Sequence, residues 1–248
     1  NQATLVNNAP AAVVVLKSGD QIRAGQTILK VVIDGEAILP PTFGDATPDA
    51  AAPSGPRKWP AAQWLQLAEY LELPETATAL IADPQTAGEW IESLATAELY
   101  PEAARLLAHQ LEKREAVWWS CCCIESVGAG RLPPDQQQAL SASRAWVLEP
   151  SEGHRRAAED AANRANFRGP AGMCAAATFW AGDNIAPSEI PGKVEPDERL
   201  TGKAVTTSLV IAAFFRETNQ SLQRWVKFLE IGRAIATGAN RWPAAPGG

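Results

Sequence analysis

Three consecutive cysteines, Cys121-Cys122-Cys123, with Cys174 the only other one, are the residues of this chain with the most chemistry to offer. Thiols do three things well: bind soft metals, exchange as disulfides, and attack as thiolates. Neighbouring side chains on a helix point about 100° apart, so three adjacent thiols cannot share one tetrahedral metal. No C-x-x-C pair is present, which removes the common dithiol redox motif. A thiolate nucleophile needs a nearby base, and the two histidines are His109, three turns upstream, and His154, on a different segment. The better reading is that these cysteines are small, apolar core residues, reduced and therefore cytosolic.

The remaining candidates are equally sparse. Neither histidine sits in H-E-x-x-H or E-x-x-H, so zinc-protease and di-iron patterns are missing, and no metal ligand set or cofactor is expected. Phosphate-loop and G-x-S-x-G patterns are missing too. Glu125 follows the cysteines directly; near such a core a carboxylate calls for a partner, and Arg144 is the candidate for an ion pair. An enzyme is not the expectation, so no catalytic residue is assigned; the alternative is an enzyme whose site is built from scattered residues, with Glu125, His109 and Arg144 as its candidates.

These residues lie in Lys113 to Val127, KREAVWWSCCCIESV, where only Ser120 interrupts the apolar run Ala116 to Ile124. Such a helix is apolar nearly all round and must be enclosed by others. The flanking segments supply them. Three- and four-residue apolar spacing predicts helices over 61–71, 76–81 (short), 86–97, 101–111, 133–148, 150–166, 171–181, 200–217 and 219–237. Asp83-Pro84 reads as a helix start. In the last helix Leu222, Trp225, Val226, Phe228, Leu229 and Ile231 are expected to face the bundle. Trp59, Trp64, Trp90 and Trp242, four of nine tryptophans, fall near helix ends or linkers, where they would join domains or face a partner. Residues 61–242 thus form an all-α domain, an irregular helical bundle without a fixed repeat period.

Before it, Glu36 to Pro60 carries six prolines, a semi-extended linker taken as residues 39–60. Residues 1–38 are different again: β-branched runs broken by Gly19-Asp20 and Gly25-Gln26, predicting strands at about 4–8, 12–16, 21–24 and 27–34. So small a set of strands leaves edges uncovered, and the chain opens at Asn1 without methionine. The expectation is a fragment or processed form with part of its β unit upstream. The fold class is mainly α, preceded by a small incomplete β-sandwich unit.

The string ATLVNN…LKSGDQIRAGQTILKVV resembles the last third of a forkhead-associated (FHA) domain, through Thr4, Leu5, Val6, Asn7, Leu16, Gly19, Asp20, Ile22, Gly25 and Leu29. That family is a β-sandwich that binds phosphothreonine peptides, and the resemblance implies a peptide-backbone contact for Asn7. Asn8 stands where the family has glycine, and the family's phosphate-gripping residues lie upstream, so phosphothreonine binding is expected only with the missing part present. The same string is also similar to half of a biotinyl or lipoyl carrier domain, with Lys30 as the modifiable residue, although Lys30 sits in an apolar strand instead of a hairpin tip. Unrelated β hairpins are the third reading. Further on, KREAVWWSC, AWVLEPSEGHRRAAEDAA and GPAGMCAAATFWAGDNIAP resemble an uncharacterised bacterial all-helical domain family, sometimes joined to FHA-type modules and met near secretion machinery, without an established activity.

Charge and length limit the partners. A net charge of −6 argues against nucleic acid, which calls for a basic patch. HRRAAEDAANRANFR pairs its charges at four-residue spacing (Glu152 with Arg156, Arg155 with Glu159, Asp160 with Arg164), as a solvated helix face does. The apolar run Ala204 to Phe215 is too short for a bilayer, which takes roughly 20 residues. Together these point to a non-enzymatic adaptor, binding protein partners in a bacterial cytoplasmic assembly, without nucleic acid or membrane span.

Overall fold

The computed structural model describes residues 60–187 and 192–243, together with four strands nearer the N-terminus. Contacts divide the chain into two compact units, 1–46 and 47–248.

In the first unit, β1 (Leu5–Val6), β2 (Ala9–Pro10), β3 (Gln21–Ala24) and β4 (Thr27–Lys30) form one antiparallel sheet in the order β2-β1-β3-β4. The β3–β4 ladder runs from Gln21↔Lys30 to Ala24↔Thr27. The strand expected at 12–16 and Asn7 lie outside the described residues. Among the described residues there is one sheet and no second, so the expected β-sandwich unit is not shown by them. Gly-Asp and Gly-Gln breaks between β-branched runs specify turns and antiparallel pairs, and they carry no information about a second layer.

The second unit is helical: α1 (Ala61–Tyr70), α2 (Glu75–Thr78), α3 (Ala87–Thr96), α4 (Tyr100–Gln110), α5 (Lys113–Ser126), α6 (Pro134–Leu148), α7 (Glu152–Arg164), α8 (Gly169–Trp180), α9 (Arg199–Ala213) and α10 (Ser221–Ala236). The chain is therefore mainly α, as its periodicity predicts. α8 packs most extensively against α9, then α7 and α6, while α5 lies against α9, α10, α6 and α8. The sequence of α8, GPAGMCAAATFW, buries Ala171, Cys174, Ala175, Ala176 and Ala177 completely. Side chains that small let helix backbones approach closely on several sides at once.

A buried helix must still satisfy the amide and carbonyl groups at its ends. For α8 this is done from outside. The carboxamide of Gln136, on α6, accepts from Ala171 N and Gly172 N at 3.1 Å each and donates to Arg168 O at 2.7 Å. Gly169, at φ +67°, makes room for it, because a Cβ there would lie 2.5 Å from Gln136 Oε1. At the other end Arg155 of α7, only 3% exposed, donates to Phe179 O at 2.8 Å. Arg155 also holds the carboxylate of Glu152 and the Asn184 carbonyl, and Arg156 reaches Ala186 O at 2.7 Å. The proline-rich stretch after α8 is so fixed to α7, and Asn184 Oδ1 ties it further by accepting from Ala186 N and Val194 N.

Four expectations need correction here. The α7 charges are not simply a solvated face: Arg155 is buried and bridges to α8, Arg156 takes Glu152 and Glu159, and Arg164 donates to Gln138 Oε1 at 3.2 Å. Charge spacing cannot distinguish a cation in water from one aimed at a neighbouring helix end. On α10, Trp225, Phe228 and Leu229 are buried, but Leu222 and Val226, one turn apart, are 50% and 45% exposed. Asp83 does not cap its own helix; Thr86 and Glu89 form the capping box of α3, and Asp83 Oδ1 accepts from Ala61 N of α1 at 3.1 Å. Trp64 and Trp90, expected near helix ends or linkers to join domains or face a partner, are core residues in edge-to-face contact, 5.6 Å between ring centroids.

Trp119 shows how tightly α5 is enclosed. It is fully buried, donates its indole N–H to Phe228 O at 2.7 Å, and leaves no room at Gly232, where a Cβ would meet Leu107 Cδ2 at 2.6 Å and Trp119 Cε2 at 2.7 Å. Gly232→Ala is expected to destabilise by about 1–3 kcal/mol through overpacking, despite alanine's better helix propensity. A thermal midpoint lowered by about 2–4 °C per kcal/mol would register it. Arg155→Ala is expected to cost about 2–4 kcal/mol in urea unfolding, because the buried Phe179 carbonyl loses its donor and the part-buried Asn184 carbonyl loses its shorter one, with Arg155→Lys recovering less than half.

Candidate functional site

Around α5 the cysteines separate into two environments. Cys121, Cys123 and Cys174 are fully buried, and Cys122, on the less covered side, is half-buried. The Cys121 and Cys174 sulfurs lie 3.7 Å apart as free thiols, and Cys174 Sγ is 3.9 Å from Val117 O. Beside them Ser120 Oγ lies 2.8 Å from Ser208 Oγ, which donates to Pro170 O at 2.7 Å, so these hydroxyls close on themselves. The contact with the Cys174 sulfur, and then burial, hold the Cys121 thiol well above its ordinary range, and burial does the same for Cys123. Cys122 is pushed up to about 11 by burial, against the opposing pull of the Arg144 guanidinium and the Asn240 side chain. Each of these three thiols is neutral at pH 7, which removes the thiolate that nucleophilic attack requires. Among the described residues no three His, Cys, Asp or Glu side chains come together as metal ligands.

The outer face of α5 presents Trp118, Cys122 and Glu125 at helical spacing. Glu125 forms the ion pair with Arg144 of α6 that its position suggested, and the Arg144 guanidinium stands 5.7 Å from the Trp118 ring centroid. The chain beyond α10 crosses this face. Trp118 donates its indole N–H to Asn240 Oδ1 at 3.2 Å, Glu115 lies 3.8 Å from the Arg241 guanidinium, and Arg114 stacks on Trp242 at 4.2 Å. Arg114 is itself anchored on the end of α6, donating to Val147 O at 2.6 and 2.8 Å. Sequence reasoning missed Asn240 and Arg114; the only trace was Trp242 in a short N-R-W run after a helix-ending glycine, Gly238.

The scattered candidates are not brought together. Glu125 and Arg144 meet, but His109 sits at the end of α4, and Glu125 is about 18 Å along α5 from its Lys113 start. His109 packs against Tyr70, 5.7 Å between centroids, and Tyr70 lies under the Arg199 guanidinium at 5.1 Å. His154 contacts Glu149 O through Nδ1 at 2.9 Å. Lys30 pairs with Gln21 at the end of the ladder away from Ala24↔Thr27, which is not the displayed hairpin tip a carrier lysine needs. Asn7 and Trp59 fall outside the described residues. No helix, among the described residues, is long and apolar enough to cross a membrane.

Burial lowers the His109 pKa below its ordinary 6.5, partly offset by Glu198. The folded protein therefore takes up this proton less readily than the unfolded chain, and stability is lost as pH falls through about 6.5. Urea titrations at pH 7, 6 and 5 are expected to show a smaller loss in His109→Gln than in the parent.

Residues 90–236 match a family described as "Family of unknown function (DUF6931)". The match starts at Trp90 in α3 and ends at Ala236, the last residue of α10, leaving out the strands, α1, α2 and Asn240 to Trp242. No curated protein and no solved structure matches the chain. The resemblance of residues 1–38 to the forkhead-associated family is overturned, since the matching family is a different one, located in the helices, and the described strands make a single sheet. Its G-D-x-I-x-x-G string is what any tight turn leading into a strand looks like. The match covers well over half of the chain, which therefore belongs to this family of unknown function.

Proposed function

We propose that this protein is a non-enzymatic adaptor that joins other proteins in a cytoplasmic assembly. The observation that carries this reading is the dispersal of its chemistry-bearing groups: buried neutral thiols in one place, Glu125 spent on Arg144 in another, His109 against Tyr70 in a third. Catalysis asks for such groups to converge within hydrogen-bond reach, while recognition asks only for a shaped surface. The outward pair Leu222 and Val226 on α10 gives such a surface apolar contact area. Free thiols 3.7 Å apart at Cys121 and Cys174 suit a reducing compartment.

The test is affinity capture by the full chain, by a form lacking residues 1–60, and by the double substitution Leu222→Asp, Val226→Asp. A protein partner is expected with the first two and at least tenfold less of it with the third. Failure of both the full and the shortened chain to retain any partner would overturn the reading.

A further inference from the structure

The stretch from Asn240 to Trp242 follows the turn that ends α10, where Gly238 takes φ +75° and Asn240 N bonds back to Ala234 O at 2.9 Å. From there it lies as a strap across α5. Its three side chains make one contact each of a different kind. Asn240 supplies an acceptor to the Trp118 indole, Arg241 a cation to Glu115, and Trp242 an aromatic face to Arg114. None of the three is in the core: Arg241 is exposed, and Asn240 and Trp242 are half-buried.

The surface beneath is different. Trp118 is 6% exposed with the strap in place, and Arg114 is fixed by the carbonyls at the end of α6 whether or not Trp242 is there. The receiving face is therefore built and held by the helices, while its occupant is a short segment held by these contacts and by the packing of Trp242 against the edge of the core. Tryptophan and arginine presented on a rigid frame are the residue types that dominate protein–protein contacts. A buried indole N–H also needs an acceptor from somewhere.

We propose that this face of α5 is a docking groove, filled in cis by the chain's own Asn240–Trp242 strap and opened to a partner protein segment that offers a carboxamide or carbonyl acceptor with an aromatic side chain two residues further on. The strap is thus an autoinhibitory contact. Tethering gives it a high local concentration, so a partner in solution competes at a disadvantage until the strap is weakened. Cys122 reports the state of the groove, because it lies one turn along the same face of α5 from Trp118, the residue that Asn240 contacts. The proposal rests on the adaptor reading for its biological purpose, but its measurements need no partner.

The experiment compares the full parent chain with Asn240→Ala/Trp242→Ala, and with Trp242→Ala alone, each checked for an unchanged helical circular-dichroism spectrum. Iodoacetamide labelling of Cys122, located by mass spectrometry, is expected to be at least tenfold faster in the double variant. A fluorescent peptide of residues 238–243 is expected to bind that variant at least tenfold more tightly than the parent, and to slow the labelling again. Trp242→Ala alone should move both readouts in the same direction. Labelling within twofold of the parent in both variants, or no peptide binding to either, would overturn the groove. Those results would leave affinity capture unaffected, so the two readings fail separately.

Discussion

The helical unit depends on one constraint: the ends of its packed helices carry backbone groups without intrahelical partners, and side chains from other helices satisfy them. Arginine does most of this. Arg105 donates to Leu71 O and Glu72 O beyond α1, Arg114 to Val147 O and Leu148 O of α6, Arg155 to Phe179 O of α8, and Arg224 to Ala213 O and Phe215 O around the end of α9. Each guanidinium brings several donors in a fixed fork and a positive charge to the negative end of a helix dipole. Gln136 does the reverse at the start of α8, accepting from two amides. Because every such bond joins two helices, capping and tertiary packing are a single interaction in this protein.

That arrangement allows a core unusual in its side-chain sizes. α8 contributes alanine, cysteine and glycine where large aliphatics would normally be, and gains proximity in place of bulk. The bulk comes from few residues, chiefly Trp64, Trp90, Trp119 and Phe228, all fully or nearly buried. Each indole in that set donates to a backbone carbonyl: Gln85, Ala77 and Phe228 respectively. Large aromatic residues with one satisfied polar atom fill volume in fixed orientations, so small neighbours such as Gly232 become positions that tolerate nothing larger.

Much of this was legible in the sequence, and the exceptions are instructive. Apolar spacing located the helices because 3.6-residue periodicity is a property of each segment alone. The interior character of Trp118 to Cys123 was legible for the same reason, as was the pairing of Glu125 with Arg144 from the need of a carboxylate near an apolar core. What could not be read was direction. Arg155 and Arg156 are adjacent and look alike in sequence, yet the first is buried against α8 and the second lies partly in the open, because each side chain's surroundings belong to another helix. Leu222 and Val226 met the inward pattern and face out, and no residue near Asn240 announced that it would cross α5. The N-terminal resemblance failed for a related reason: turn glycines and β-branched runs encode a hairpin, and the family-specific residues that would have identified its host were not among those present.

The thiols draw these points together. Cys121, through its contact with the Cys174 sulfur and its burial, and Cys123, through burial, owe their neutrality to the same enclosure that makes the helix ends need arginine, so a site that ionised either would have to open the packing that holds α5 in place. Cys122 is less enclosed, and its pKa is still pushed up by burial, against the pull of the Arg144 guanidinium and the Asn240 side chain. Reactivity in this core and stability of the fold are therefore opposed, and the groups on the outer face of α5, an indole N–H bonded to the strap, a stacked guanidinium and a paired carboxylate, are suited to holding another chain more than to transforming a substrate.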